Sequence, residues 1–379
     1  MLHVELVRPE AVCRQDQAAW RAWQAAVPAL RSPLLSPEFA LAVGRVRADA
    51  AVALVRREGR LIGVLAHHRR PGGLARPIGA PFSDVHALVA EPGVSLSGEE
   101  TLRLAAIRAF RFTSLADPEG RFDLPAAAVH ERHLIEVGGD GAAYLERLRA
   151  ASAKRFKNWR RLEHKLERER GAIELVGPDR DSRAFELMLH WKRDQLRRSG
   201  LHDVYRPAWV QGLMRQLFAE RDGPMQGLLL TLRADGQPVA GHFGVRLRDA
   251  YHPWVASIDP HAQEYSPGQT FLARAILAMP GLGLETYDLA AGHDHYKAPF
   301  ASARERVLEG VAFAAGTRPR PAPLLAGLGP AAQRVGRRLD QIAAVDLNAA
   351  GRLLGVVEAA RAWRLRQPFR PVAAQEISE

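Results

Sequence analysis

The chain has 379 residues, 47% of them hydrophobic and 25% charged, an ordinary globular balance with enough apolar material for two or three domains. A single cysteine, Cys13, excludes an internal disulfide framework and any multi-cysteine zinc site. The formal net charge is +11, which suits nucleic acid, anionic lipid or an anionic substrate, yet only five of the 53 basic residues are lysine, and that arginine bias beside heavy alanine usage also reads as the mark of a GC-rich genome.

The first dozen residues carry Glu5, Arg8 and Glu10 and no apolar run, so no signal peptide is expected. No long uncharged apolar stretch follows, so no membrane span is expected and the expected location is the cytoplasm. Residues 15–27 predict a helix with Trp20 and Trp23 in its apolar stripe. Ser36-Pro37 is an N-cap followed by proline at the first helical position, which opens a second helix through Phe39 and Val43. Residues 50–55 and 61–65 predict strands joined by a turn at Glu58-Gly59. Pro71-Gly72-Gly73 breaks the chain, residues 98–110 predict a helix capped by Ser97, and residues 133–137 predict a closing strand.

Gly138-Gly139-Asp140-Gly141 marks a domain boundary. A long charged helix is predicted over 144–170. Strand 173–176, helix 185–198 and a helix from Pro207 to about Phe218 follow. Strands at 227–233 and 239–247 flank an Asp235-Gly236 turn, with a third strand at 251–257. A helix at 267–279 and strands at 284–289 and 307–314 complete this region. Its hairpin echoes the first one, and each is preceded by a helix that begins at proline, a weak internal repeat of one mixed α/β unit. Beyond residue 315, Pro319, Pro321 and Pro323 mark a linker. Helices near 331–344 and 348–366 then form an appendage that packs on the core or mediates association.

Two segments concentrate chemistry. Ser266, Pro267, Gly268, Gln269 and Thr270 sit between a strand and an amphipathic helix. Unpaired N–H groups and the positive dipole end at such a start suit a pyrophosphate, and the Thr270 hydroxyl adds a donor. A plain capped helix start is the alternative reading. The second segment, Tyr287 to Lys297, holds Asp288, His293, Asp294, His295, Tyr296 and Lys297 just after a predicted strand, where α/β folds place their chemistry. Lys297 stands out in a chain that nearly always chooses arginine; an ammonium there can sit against a developing oxyanion, and Tyr296 can protonate a leaving group. Consecutive His293, Asp294 and His295 point in different directions, which argues against a metal site, and a solvated polar turn is the alternative. Asp84 and His86 share one side of an extended loop and form either a substrate wall or a buried pair. Trp254 and Tyr265 read as substrate contacts or as core. The basic run Lys154 to Arg161 mixes cations with aromatics, which suits phosphate, while Glu163, Glu167 and Glu169 also fit a solvated face.

Taken together, Lys154-Arg155, Arg160-Arg161, the Asp235-Gly236 hairpin with Ala240-Gly241, Trp254, Ser266-Pro267-Gly268, Asp288, Gly292, Tyr296 and Lys297 give the sequence its resemblance. It resembles the GNAT-type acetyltransferases of cellulose and exopolysaccharide biosynthesis, relatives of the Fem-type peptidoglycan aminoacyltransferases. Ser36-Pro37-x-Phe39, Gly59 to Gly63 and Pro81 to Asp84 extend the resemblance into the first region. It implies an α/β mixed-sheet fold of two tandem GNAT-like domains, 1–140 and 141–315, with a helical extension over 316–379.

The same resemblance implies transfer of an acyl group from acetyl-CoA or another acyl-CoA to a small-molecule or glycan-precursor amine or hydroxyl, without a metal. The carrier would lie in a gap between strands 251–257 and 284–289, with residues 266–270 holding its pyrophosphate. Lys297 or backbone N–H groups would stabilise the oxyanion, Tyr296 would act as acid, and Asp288 or His293 as base. Asp84, His86, Trp254 and Tyr265 would contact the substrate. The chain lacks the usual Gln/Arg-x-x-Gly-x-Gly/Ala form of the pyrophosphate loop, so aminoacyl-tRNA, the donor of Fem-type relatives, remains an alternative to CoA. A non-catalytic module that binds a glycan or a protein is a third reading.

Overall fold

The computed structural model describes residues 1–125, 127–292, 297–317, 330–346 and 349–364. The first half runs β1 (Leu2–Val7), α1 (Arg14–Ala26), α2 (Pro37–Val46), β2 (Ala50–Arg57), β3 (Arg60–Arg70), β4 (Leu74–Pro77), β5 (Val89–Ala90), α3 (Gly98–Leu104), β6 (Ala109–Leu115) and β7 (Ala128–Glu136). The second runs α4 (Gly141–Ala151), α5 (Ala153–Arg170), β8 (Ile173–Val176), α6 (Ser182–Arg198), α7 (Ala208–Ala219), β9 (Met225–Ala234), β10 (Gln237–Leu247), β11 (Ala250–Ile258), α8 (Pro267–Ala278), β12 (Thr286–Ala291) and β13 (Ala303–Phe313). Helices α9 (Pro330–Val345) and α10 (Ala349–Arg364) follow.

Local chemistry sets much of this frame. Glu58-Gly59 and Asp235-Gly236 both hold positive φ at each central residue, 53° and 82° in the first, 47° and 73° in the second. That is the two-residue turn whose twist matches the flanking strands. Helix α2 starts where the sequence predicts, with Ser36 Oγ accepting the Phe39 N–H at 3.1 Å.

Among the described residues, thirteen strands form one mixed sheet, ordered β1-β2-β3-β4-β6-β13-β7-β12-β11-β10-β9-β8, with β5 paired to β3. The order is two copies of one arrangement. Strands β1 to β4 and β8 to β11 are antiparallel neighbours in each copy, and each copy has one parallel pair, β4 with β6 and β11 with β12. The copies meet through exchanged strands. β7, from the first half, pairs with β12, and β13, from the second, pairs with β6 and β7. A core cluster also crosses the divide, with the Phe82 ring tilted against Tyr205 at 5.2 Å and against Trp254 at 6.3 Å.

Two predicted elements differ, and the first strand was not predicted. The helix predicted over 98–110 ends at Leu104, and β6 follows, because alternate residues Phe110 and Phe112 bury into the core of a paired sheet. The helix predicted over 144–170 is two helices, broken at Ser152, whose φ of −153° and ψ of 56° are non-helical. The break lets Leu148 of α4 and Phe156 and Trp159 of α5 face one cavity. Strand β1 is an edge strand with alternating partial burial, too short and too polar to declare itself in sequence.

Helix α9 straps the two halves. Asp340 pairs with Arg76 and lies 2.8 Å from Arg111 Nε in the first half. In the second half, the Trp209 indole donates to Val345 O at 2.9 Å and Arg206 pairs with Asp346 at 3.4 Å. Asp340→Ala leaves two partly buried guanidiniums without their shared carboxylate; a loss of about 1–3 kcal/mol is expected by urea denaturation.

Candidate active site

The gap expected between two strands begins where their ladder ends. Parallel strands β11 and β12 pair at Ala250 with Thr286 and at Tyr251 with Tyr287. Beyond those positions, among the described residues, no pairing joins them, although β11 runs on to Ile258 and β12 to Ala291. Strand β12 is drawn instead toward β7, with a register shift between Asp288 and Ala291. Ala290 takes a left-handed φ of 61° there.

The first step of the gap is bridged by side chains. Fully buried His252 places Nδ1 2.8 Å from Asp288 Oδ2 and Nε2 3.2 Å from Asp84 Oδ2. Arg132 of β7 lies 3.1 Å from the same Asp288 oxygen, and its Nη1 is 3.0 Å from Glu305 of β13. The result is a row of alternating charge, Asp84–His252–Asp288–Arg132–Glu305, that crosses from one half to the other. Burial alone would lower the His252 pKa, but the two carboxylates outweigh it and push it up to about 9. Both ring nitrogens then donate. Burial would raise Asp288, but the Arg132 and His252 charges hold it well below the usual carboxylate range.

On the adjacent strand, His242 Nδ1 lies 2.6 Å from the Tyr287 hydroxyl, with its ring 4.4 Å from Phe271 of α8. Burial, aided by the Lys192 and Lys297 ammoniums, lowers His242 to about 3, so this imidazole is neutral. Lys297 is 7% exposed and its Nζ donates to Ala291 O at 3.1 Å, which turns the lysine back over the end of β12. Burial and the Lys297 charge both lower the pKa of Lys192 on α6. Two of the chain's five lysines therefore converge on the same gap. Tyr296 and His293, with Asp294 and His295, lie outside the described residues.

The start of α8 opens beside this gap. Ser266 precedes it in the left-handed region, φ 48°, and its side chain makes no cap. Gly268 and Gln269 are half-buried. Thr270 is fully buried, and its Oγ1 accepts the Trp159 indole N–H at 3.1 Å, so the hydroxyl ties α8 to α5. A cavity of about 330 Å³ lies between this helix start, the α4–α5 break and the segment after Lys297, lined by Ser152, Arg155, Trp159, Gln269, Pro299 and Phe300.

The remaining predicted contacts divide. Asp84 reaches the gap through His252 and keeps its side chain 41% exposed. His86 is buried beside Ser83 and Thr113, its Nδ1 3.2 Å from Ser83 Oγ, and burial lowers it to about 3. Trp254 packs 5.9 Å from Phe39 in the core that joins the halves. The Tyr265 hydroxyl donates to Glu169 at 3.0 Å and its ring lies under the Lys165 ammonium, so α5 holds it. Sequence reasoning did not single out His252, His242 or Arg132. A histidine at an inward position of each of two adjacent strands was the signal available.

Residues 153–298 match the family described as an acetyltransferase (GNAT) domain. The matched span carries α8, β11, β12 and Lys297, while Asp84, Arg132 and Glu305 lie outside it. No curated protein matches the chain. Among solved structures, FemX is similar at 11% identity over 81% of this chain and 96% of its own, with a TM-score of 0.49. A tandem GNAT protein from the clavulanic acid biosynthesis pathway is similar at 12% identity over 85% of this chain and 100% of its own, with a TM-score of 0.44. The C-terminal domain of a protein provisionally assigned as a lysylphosphatidylglycerol synthetase from Agrobacterium fabrum is similar at 12% identity over 73% of this chain and 86% of its own, TM-score 0.46.

Because the folded pKa of His252 is raised, its stabilising contribution is complete below its ordinary value of 6.5 and is lost as pH rises through about 9. Thermal stability is expected to fall across that window in the native chain, and the fall should shrink in His252→Gln, measured by calorimetry at matched ionic strength.

Proposed function

We propose that the chain is a GNAT-type acyltransferase that moves an acetyl or other acyl group from an acyl-CoA to an amine or hydroxyl of a sugar, envelope precursor or amino compound, including those of exopolysaccharide synthesis. The observation that carries the reading is the parting of β11 from β12 with a buried lysine ammonium, Lys297, at its edge. The domains are taken as 1–140, 141–315 and a helical extension, 316–379, with chemistry in the second. In the reaction the acceptor attacks the thioester carbonyl, the new C–N or C–O bond forms and the C–S bond breaks. Lys297 stabilises the oxyanion and Tyr296 protonates the departing thiolate. Of the two bases considered, Asp288 is held ionised between Arg132 and His252, so it serves better to fix His252 than to take a proton; His293 is assigned that step. The α8 start receives the carrier's phosphates through the backbone N–H groups of Gly268 and Thr270, with the Arg155 and Gln269 side chains beside it, while the Gln269 N–H donates to Ser266 O at 3.1 Å and the Thr270 hydroxyl is already engaged by Trp159.

A second reading, transfer from aminoacyl-tRNA, draws support from exposed Arg147, Arg149, Lys154, Arg155, Lys157, Arg160 and Arg161 on α4 and α5 beside the same cavity. Acetyl-CoA is expected to raise the melting temperature in a concentration-dependent way; no rise, together with steeply salt-dependent binding of charged tRNA, selects the second reading instead. Lys297→Ala is expected to lower kcat by about 10²–10³ while the acetyl-CoA shift persists. Unchanged turnover removes the assigned role.

A further inference from the structure

The two halves share one sheet arrangement but treat its gap differently. In the first half, parallel strands β4 and β6 pair at Leu74 with Ala109 and at Ala75 with Phe110, two rungs, as β11 and β12 do. Beyond the second rung, the chain itself fills the first gap. Residues 78–88 run into it, and His86 joins the end of β6: its N–H donates to Ser114 O at 2.9 Å and its carbonyl accepts the Ala116 N–H at 2.7 Å. The cavity left there measures about 10 Å³, room for about one water and not for an acyl carrier. Residues 82–88 are all buried except Asp84. Its side chain is 41% exposed and leaves the filling segment to reach His252 of the second half at 3.2 Å.

The second gap has two faces, because successive residues of a strand point to opposite sides. Tyr251 and Tyr287 belong to the core on the α8 side, together with Trp159 and Phe300 of the 330 Å³ cavity. His252 and Asp288, the next residue on each strand, point the other way, toward the core where Phe82, Tyr205 and Trp254 join the halves. The proposed carrier lies on the α8 side, which leaves the opposite face to the acceptor, and Asp84 stands half-exposed on that face. A carboxylate offers only acceptor oxygens. Oδ2 of Asp84 is engaged by His252, while Oδ1 has no partner among the described residues. The row that Asp84 ends holds three carboxylates, Asp84, Asp288 and Glu305, against two cations, His252 and Arg132, so within it one negative charge is uncompensated.

We propose that the first half, its own gap closed, lends Asp84 to the second half as the residue that selects the acceptor: Oδ1 takes an N–H of an ammonium and discriminates against a neutral hydroxyl. This rests on the acyltransferase reading and narrows its acceptor to an amine. A charge-assisted hydrogen bond is the stronger kind, and a cation also balances the row. Selection is made at binding; proton removal stays with the base already assigned.

The test compares a panel of primary amines, glucosamine and lysine among them, with the matched alcohols, using acetyl-CoA as donor. The native chain is expected to favour amines by about tenfold or more in kcat/KM. Asp84→Asn keeps an oxygen for His252 but loses the charge; the amine KM is expected to rise about tenfold or more while the acetyl-CoA melting shift persists. Calorimetry is expected to count one acetyl-CoA per chain. The proposal is overturned by alcohols used as well as amines, by no turnover of any amine, by an unchanged amine KM in the variant, or by two acetyl-CoA per chain. A retained acetyl-CoA shift without amine preference removes this inference alone; acetyl-CoA that neither shifts melting nor is consumed removes the acyl-CoA reading with it.

Discussion

His252 is bracketed by a carboxylate on each ring nitrogen, and those carboxylates come from different places: Asp288 on the neighbouring strand and Asp84 in the first half of the chain. A buried cation requires compensation, and here the compensation ties three separately placed backbones at one point. Asp288 is in turn fixed by Arg132, which reaches on to Glu305. The two strands can part beyond Tyr251 and Tyr287 because their first unpaired side chains hold one another. The open space above is therefore framed by ionic contacts at its base, without a continuous backbone ladder.

That base divides the titratable groups into unlike roles. His252 is cationic and His242, one strand over, is neutral, although both are fully buried or nearly so. The difference is their neighbours: carboxylates for one, a tyrosine hydroxyl and two lysine ammoniums for the other. Such opposed environments for like groups are typical of sites where protons are placed deliberately.

Much of the fold was legible in the sequence wherever the information was local. Glu58-Gly59 and Asp235-Gly236 fixed two hairpins, and Ser36-Pro37 fixed a helix start, because each acts through its own backbone. The prominence of Lys297 was legible from the rarity of lysine, and the structure buries it beside the expected gap. What could not be read was pairing at a distance. His252 and Asp84 are 168 positions apart, and nothing in either segment points to the other. The strand at Ala109–Leu115 was hidden for the same reason: its alternation emerges only when β4 and β13 flank it. Thr270 shows a subtler loss, since a hydroxyl free on paper is occupied by an indole brought in by α5.

The exchanged strands have a consequence for the order in which the chain can become whole. Phe112 of β6 finds its neighbour Gly310 only when β13 has been made. A ribosome that has released the first half has therefore released a sheet with a raw edge, and β7 has emerged before the β12 it must join. The two units cannot mature one after the other like beads; each is completed by the other, late and together.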